Sequence, residues 1–290
     1  MLELIAKKIH DEVYRYFTDF KTAVFLCGAG SNVKGSVREK ISKELSAGIN
    51  SYYFDVFYPE DLFEEILFGP NHQDLLSLES ILADSVDSIV LIIESYGAVA
   101  ELGAFASNNN LRKKLVCITD FKYRRKKSFI NYGPLRLLKD KGEGVVVFTD
   151  FENIADGMKR VKSAIRKTKK LRSKTTGVTN VLNAHHYILP SIYLFEPVKR
   201  DILVELVRHA SGTNEQKSFA LTAGALSMLN KKGEVTLTPE GYSLTRAGML
   251  NFSKLGSRGR NQHPIYDSTE MDTMRVAILN WRYRGKKLEL

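Results

Sequence analysis

Thr22-Ala23-Val24-Phe25-Leu26-Cys27-Gly28-Ala29-Gly30-Ser31 is an almost unbroken apolar run that ends in a glycine turn. Such a run is the pattern of a parallel strand buried on both faces, and the glycines supply the tight reversal after it. The alternation repeats along the chain. Tyr52 to Tyr58 reads as a second strand, Ser88-Ile89-Val90-Leu91-Ile92-Ile93 as a third, Leu115-Val116-Cys117-Ile118 as a fourth and Val145-Val146-Val147-Phe148 as a fifth. Helical stretches at about 35–46, 60–85 and 98–109 separate them. Parallel strands need crossovers, so the expected fold is α/β, a doubly wound, mostly parallel five-stranded sheet covered on both faces. Upstream, Leu2, Ile5, Ile9, Val13 and Phe17 recur at helical spacing and predict an amphipathic helix over 2–18.

The chain has 290 residues, 43% of them hydrophobic, enough for a sizeable core and for two domains. Its 43 Lys and Arg against 33 Asp and Glu leave a net charge of +10, which favours a polyanionic partner. Cys27 and Cys117 each lie inside an apolar run and read as small buried hydrophobes of a reducing compartment. No apolar stretch approaches the roughly 20 residues that span a bilayer, and the first residues lack a signal-peptide core. A soluble, cytoplasmic protein without membrane association is expected.

In open parallel sheets, ligands bind beyond the carboxyl ends of the strands. That rule selects Gly28 to Ser31, Tyr58 to Asp61 and Glu94 to Glu101. Cys27, Gly28 and Gly30 form the first group; the turn lacks the third glycine of a dinucleotide fingerprint, and many such turns only reverse the chain. Tyr58 and Asp61 form the second, although Pro59-Glu60-Asp61 is also a good helix start. The third contains Glu94, Ser95 and Gly97 at a strand-to-helix turn, with Glu101 about one turn into the helix. An acid there is also what the helix dipole favours in its own right.

Five blocks in order carry a family resemblance: Phe25-Leu26-Cys27-Gly28; Phe57-Tyr58-Pro59-Glu60-Asp61-Leu62; Leu76-Ser77-Leu78-Glu79-Ser80-Ile81-Leu82-Ala83; Glu101-Leu102-Gly103-Ala104-Phe105; and Ser128-Phe129-Ile130-Asn131-Tyr132-Gly133-Pro134. Together they resemble the retron effectors related to nucleoside 2-deoxyribosyltransferases. The resemblance implies an antiphage toxin restrained by a retron reverse transcriptase and its multicopy single-stranded DNA and RNA. It also implies N-glycosidic bond cleavage in NAD or a deoxynucleotide, with Glu101 at the catalytic position and Asn131 near the sugar. No cofactor or metal is implied, and a homo-oligomer or larger assembly is. The transferases usually carry Asp-Ser-Gly-Thr before their glutamate; this chain has Ser95 six positions before Glu101, which implies altered base handling. A non-catalytic, nucleotide-sensing DNA-binding regulator is the alternative.

The second half is basic. Lys159, Arg160, Lys162, Arg166, Lys167, Lys169, Lys170 and Arg172 crowd one helical stretch, with Lys231 and Lys232 further on, and all are candidate phosphate contacts. Arg275, Arg282 and their neighbours around Trp281 and Tyr283 add a basic tail. Apolar helical segments over 184–209 and 218–229 precede a hairpin turning at Pro239-Glu240-Gly241, the element order of a winged helix. The expected division is residues 1–155 for the enzyme-like domain, 156–180 for a basic helix and linker, and 181–290 for the winged-helix domain.

Overall fold

The computed structural model describes residues 2–15, 21–30, 33–60, 85–170, 178–180, 182–256 and 268–285. The apolar runs become strands β1 (Thr22–Cys27), β2 (Phe54–Phe57), β3 (Ser88–Ile92), β4 (Leu115–Asp120) and β5 (Val145–Thr149). Every residue of β1, β3 and β4 is buried, as central strands require, while β2 and β5 are only partly so. The sheet order is β2-β1-β3-β4-β5 and every pairing is parallel. Val24 stands opposite Ser88 and Ile89 opposite Leu115. The strand order reverses at β1 and β3, and at such a switch point the loops beyond the strand ends part and leave a cleft.

Helices close both faces of the sheet. The alternate residues Val24, Leu26, Val90, Ile92, Val116 and Ile118 share one core with α2 (Val37–Ser46), through Ile41 and Leu45. Residues one position along each strand, among them Cys27, Leu91 and Cys117, face the other layer. There α3 (Tyr96–Ser107) lies against β3 and β4. The chain then runs through α4 (Asn109–Lys114), α5 (Phe129–Tyr132) and α6 (Pro134–Asp140) to β5 and α7 (Met158–Lys170). Met158, Val161, Ala164 and Ile165 of α7 enter the first core, leaving Lys159, Arg160, Arg166 and Lys167 exposed. The helix expected at 60–85 lies almost wholly outside the described residues.

The predicted helix 98–109 is α3, and a second helix not read from the sequence, α4, follows it directly. Asn108 ends α3 and its side chain accepts from the backbone N–H of Asn110 and Leu111, capping α4. A polar side chain can start a new helix without a loop, and apolar spacing alone does not reveal it.

The domain division differs from expectation. The α/β unit is Lys21–Lys174, and residues 1–20 belong with 175–290. Helix α1 (Leu2–Ile9) continues through a π-helical turn at His10–Tyr14, and buries Ile5, Ile9, Val13 and Tyr14 against residues of the second unit. The Tyr187 hydroxyl is within 3.2 Å of the carbonyl of Ala6 and 3.1 Å of that of Leu206, tying this helix in. An apolar stripe states that a helix has a core partner, not which one. The basic helix expected as linker is likewise part of the sheet's packing, because its buried stripe completes that core.

In the second unit, α8 (His185–Phe195), α9 (Arg200–Ser211) and α10 (Glu215–Lys231) precede a hairpin of β6 (Val235–Thr238) and β7 (Gly241–Leu244). Thr238 pairs with Gly241 around the predicted turn. A Cβ on Gly241 would lie 2.5 Å from the carbonyl oxygen of Val198, and its φ of +138 suits glycine alone. Helices α11 (Arg246–Gly256) and α12 (Ser268–Arg284) complete the unit. No helix among the described residues is long and apolar enough to cross a membrane.

Candidate active site

The turn after β1 and the turn after β3 meet at the switch point, and Glu94 joins them. Its carboxylate accepts the backbone N–H of Ala29 at 3.2 Å, of Val37 at 2.8 Å and of Arg38 at 3.0 Å. Two of these are first-turn donors of α2, so a buried-edge anion satisfies the positive end of that helix. Ser36 adds its hydroxyl as acceptor for Glu39 N–H at 3.2 Å. Gly28 sits in the angle: a Cβ there would stand 3.0 Å from Glu94 Oε1 and 3.3 Å from Arg38 Cβ. Close packing explains this glycine. Gly30 is exposed, as is Gly97 in the first turn of α3.

Ser95 caps α3 by accepting the Ala98 N–H at 3.2 Å, and its hydroxyl lies 3.5 Å from the Gly28 carbonyl. Glu94 and Ser95 are therefore both engaged in holding the two turns together. One and a half turns later comes Glu101. It lies on the flank of the face that buries Ala98, Leu102 and Phe105, and is itself half-buried. Its Oε2 is shielded from solvent and has no hydrogen-bond partner among the described residues. Burial pushes the Glu101 carboxyl up from the ordinary 4.5 to about 7, with Arg38 pulling it down and Glu60 pushing it up. An unpaired buried acceptor normally costs stability, so the Glu101 carboxylate beyond the end of β3 is a candidate ligand group.

Arg38, Glu60 and Cys27 complete the electrostatic surroundings. The Arg38 guanidinium is 4% exposed and donates to the Ala29 carbonyl at 2.7 Å. It also grips Glu60 with both terminal nitrogens, at 2.8 and 2.6 Å, and lies 4.8 Å over the Tyr58 ring. Tyr58 in turn shares a hydrogen bond with Ser42. Burial and then the Glu101 charge hold the Cys27 thiol well above its ordinary value, so it stays protonated and inert as a nucleophile. The structure thus brings together Cys27, Gly28, Tyr58, Glu94, Ser95 and Glu101. Asp61 lies outside the described residues. Asn131 donates both amide hydrogens to the carbonyls of Tyr123 and Lys126, at 2.8 and 2.6 Å, and fixes the loop after β4.

Arg38 and the pairing role of Glu60 were not singled out from the sequence. The signal was the arginine just inside the helix that follows the glycine turn, but its partner is 22 positions away.

Of the basic candidates, Lys159, Arg160, Arg166 and Lys167 are exposed along α7. Lys169 donates to the Lys21 carbonyl at 2.6 Å, and Lys162 reaches Asn50 Oδ1 at 3.5 Å. Lys170 ends α7, and Arg172 lies outside the described residues. Lys231 and Lys232 are exposed at the end of α10, with Lys232 Nζ 3.4 Å from His185 Nε2. In the tail, Arg275 pairs with Glu196 at 2.9 Å, and Arg282 donates to the carbonyls of Phe195 and Pro197. These two arginines serve the unit's own packing.

Residues 34–237 match the family model described as STM3845 retron effector protein, a span running from just before α2 to the hairpin. The chain is 34% identical over 281 residues to the Escherichia coli protein named "Retron Ec86 putative ribosyltransferase/DNA-binding protein", covering 92% of this chain and 87% of that one. A second Escherichia coli protein, named "Retron Ec73 putative ribosyltransferase/DNA-binding protein", is 27% identical over 216 residues, 67% of this chain and 68% of its own length. A family match over residues 34–237, with a relative alike over nearly the full chain, places this protein in the retron effector family.

Proposed function

We propose that this retron effector is an N-glycosidase in which Glu101 cleaves the N-glycosidic bond of NAD or a deoxynucleotide. The observation that carries the reading is the half-buried Glu101 carboxylate, one oxygen unpartnered, at the switch point of the sheet. The ionised carboxylate attacks the anomeric carbon, and the C–N electron pair departs with the base. A nicotinamide leaves as a neutral molecule and needs no proton, whereas an adenine takes one from solvent. Water then bonds to the anomeric carbon, the carboxylate leaves with the ester electron pair, and the spare proton goes to solvent. Desolvation raises the energy of the carboxylate before reaction, and the positive charge developing on the sugar relieves it.

In this reading Gly28, Gly30, Gly97, Tyr58 and Ser95 border the substrate, while Glu94 positions the two turns. The relatives' printed names join ribosyl transfer to DNA binding. The helix-then-hairpin order of α10, β6 and β7 suits a winged-helix module that docks on the reverse transcriptase and its DNA, and the exposed cations of α7, in the α/β unit, suit phosphate contacts. The toxin is then held silent by that assembly. The test is release of free base from NAD and from deoxynucleotides by purified protein, followed chromatographically. Glu101→Gln lowers the rate by about 1,000-fold or more. Equal rates from the two proteins exclude the role.

A further inference from the structure

The edge strand β5, the turn following β4 and the outward side of α7 enclose a hollow of about 380 Å3. Strand β4 separates β5 from β3, so this hollow stands apart from the turn and helix after β3 that carry Glu101. Its floor is apolar, made by Val145, Val147 and Ala164. Around it stand Arg124, Arg160 and Lys167, all exposed. Phe121 and Phe148 complete the wall. The Arg160 guanidinium lies 5.2 Å from the centre of the Phe121 ring and that of Arg124 lies 5.8 Å from Phe148. Lys139 approaches the Phe148 ring at 4.9 Å.

The three cations have no carboxylate partner among the described residues. In the same unit Arg38, Arg112 and Arg136 each hold a carboxylate, at 2.6, 2.7 and 3.0 Å. Like charges gathered without counterions repel one another, and an anion placed among them removes that cost. Cations beside aromatic rings over an apolar floor are the elements that hold a phosphate and a flat base together. A peptide strand pairing with β5 is disfavoured, because Arg160, Ser163, Ala164 and Lys167 of α7 wall that edge and leave a hollow at the small end of small-ligand sites.

We propose that this hollow binds a nucleotide, with its phosphate among Arg124, Arg160 and Lys167 and its base against Phe121 and Phe148. The inference deepens the reading of α7 as a polyanion surface and is independent of Glu101 chemistry.

The test uses the full chain carrying Glu101→Gln, so that turnover does not consume the probe. Calorimetric titrations with deoxyadenosine monophosphate, deoxyadenosine and a short oligo(dA) are compared before and after adding Arg124→Gln with Arg160→Gln, or Phe121→Ala alone. All three side chains are exposed, and circular dichroism verifies the fold. The expected result is a binding event weakened at least about tenfold by either change, and absent for deoxyadenosine. Dependence seen with the mononucleotide alone identifies a free nucleotide, and dependence seen with the oligonucleotide identifies one residue of a single strand; both support the site. Affinities unaffected by these changes, or no binding of either phosphate probe, overturn it. Oligonucleotide binding that responds only to Lys159→Gln and Arg166→Gln retains the α7 surface and removes the hollow.

Discussion

Replacing Glu101 by Gln makes the protein more stable, and only at a pH where the carboxylate is charged. The carboxyl titrates at about 7 when folded against 4.5 ordinarily, because burial penalises its charged form. Below about pH 4.5 both states hold the proton and the group costs nothing. As pH rises, the unfolded chain ionises first, and native stability falls until pH passes the folded value near 7. At about 1.4 kcal/mol per pH unit, that difference sets an upper bound of about 3 kcal/mol. Glu101 is only half-buried, so solvent screening reduces this to roughly 1–2 kcal/mol. Glutamine is neutral throughout and escapes the cost. For a unit of this size the gain raises Tm by about 3–6 °C at pH 8 relative to the change at pH 5. Thermal melts of both proteins at the two pH values read it directly. A pH-independent difference, or a variant less stable at pH 8, refutes the claim that the carboxylate is desolvated by burial.

The rate of base release rises with pH around a midpoint near 7, since the ionised carboxylate is the nucleophile; Glu60→Gln moves that midpoint to lower pH, because Arg38 then acts unopposed, and a pH-rate profile shows both. Glu94→Ala strips the acceptor from three backbone N–H groups and lowers stability by about 3 kcal/mol in urea titrations, with Glu94→Gln costing less. Gly28→Ala forces a methyl to 3.0 Å from Glu94 Oε1 and costs about 1–3 kcal/mol, measured the same way. Lys159→Gln with Arg166→Gln reduces the slope of log affinity for oligonucleotide against log salt by about 2, read from binding isotherms at several salt concentrations.

The sheet was legible because Thr22 to Cys27 and Ser88 to Ile92 are buried on both faces, which demands continuous apolar sequence of strand length. The position of Glu101 beyond β3 followed from the same rule. Its surroundings did not, because the Arg38–Glu60 pair and the three donors to Glu94 join residues 22 to 65 positions apart. Periodicity carries no such pairing information. For the same reason Glu94, which reads as the end of a strand or a ligand contact, proves to be the cap of a helix that begins far upstream. The hairpin was visible from its turn residues, since Pro239 and Gly241 act locally. The assignment of α1 was missed because its stripe of Ile5, Ile9 and Val13 fits any apolar surface.

That α1 belongs with residues 175–290 makes the α/β unit an insertion within another unit's chain. The bond between Tyr187 and Ala6 spans 181 positions. During synthesis the first helix therefore emerges long before its core exists, and the sheet unit can fold in full while that helix waits. The order in which the ribosome delivers the segments differs from the order in which they dock. A premature stop after Lys174 would release a finished sheet trailing an unclad amphipathic helix, a fragment marked for chaperones or proteases before the rest of the effector has been made.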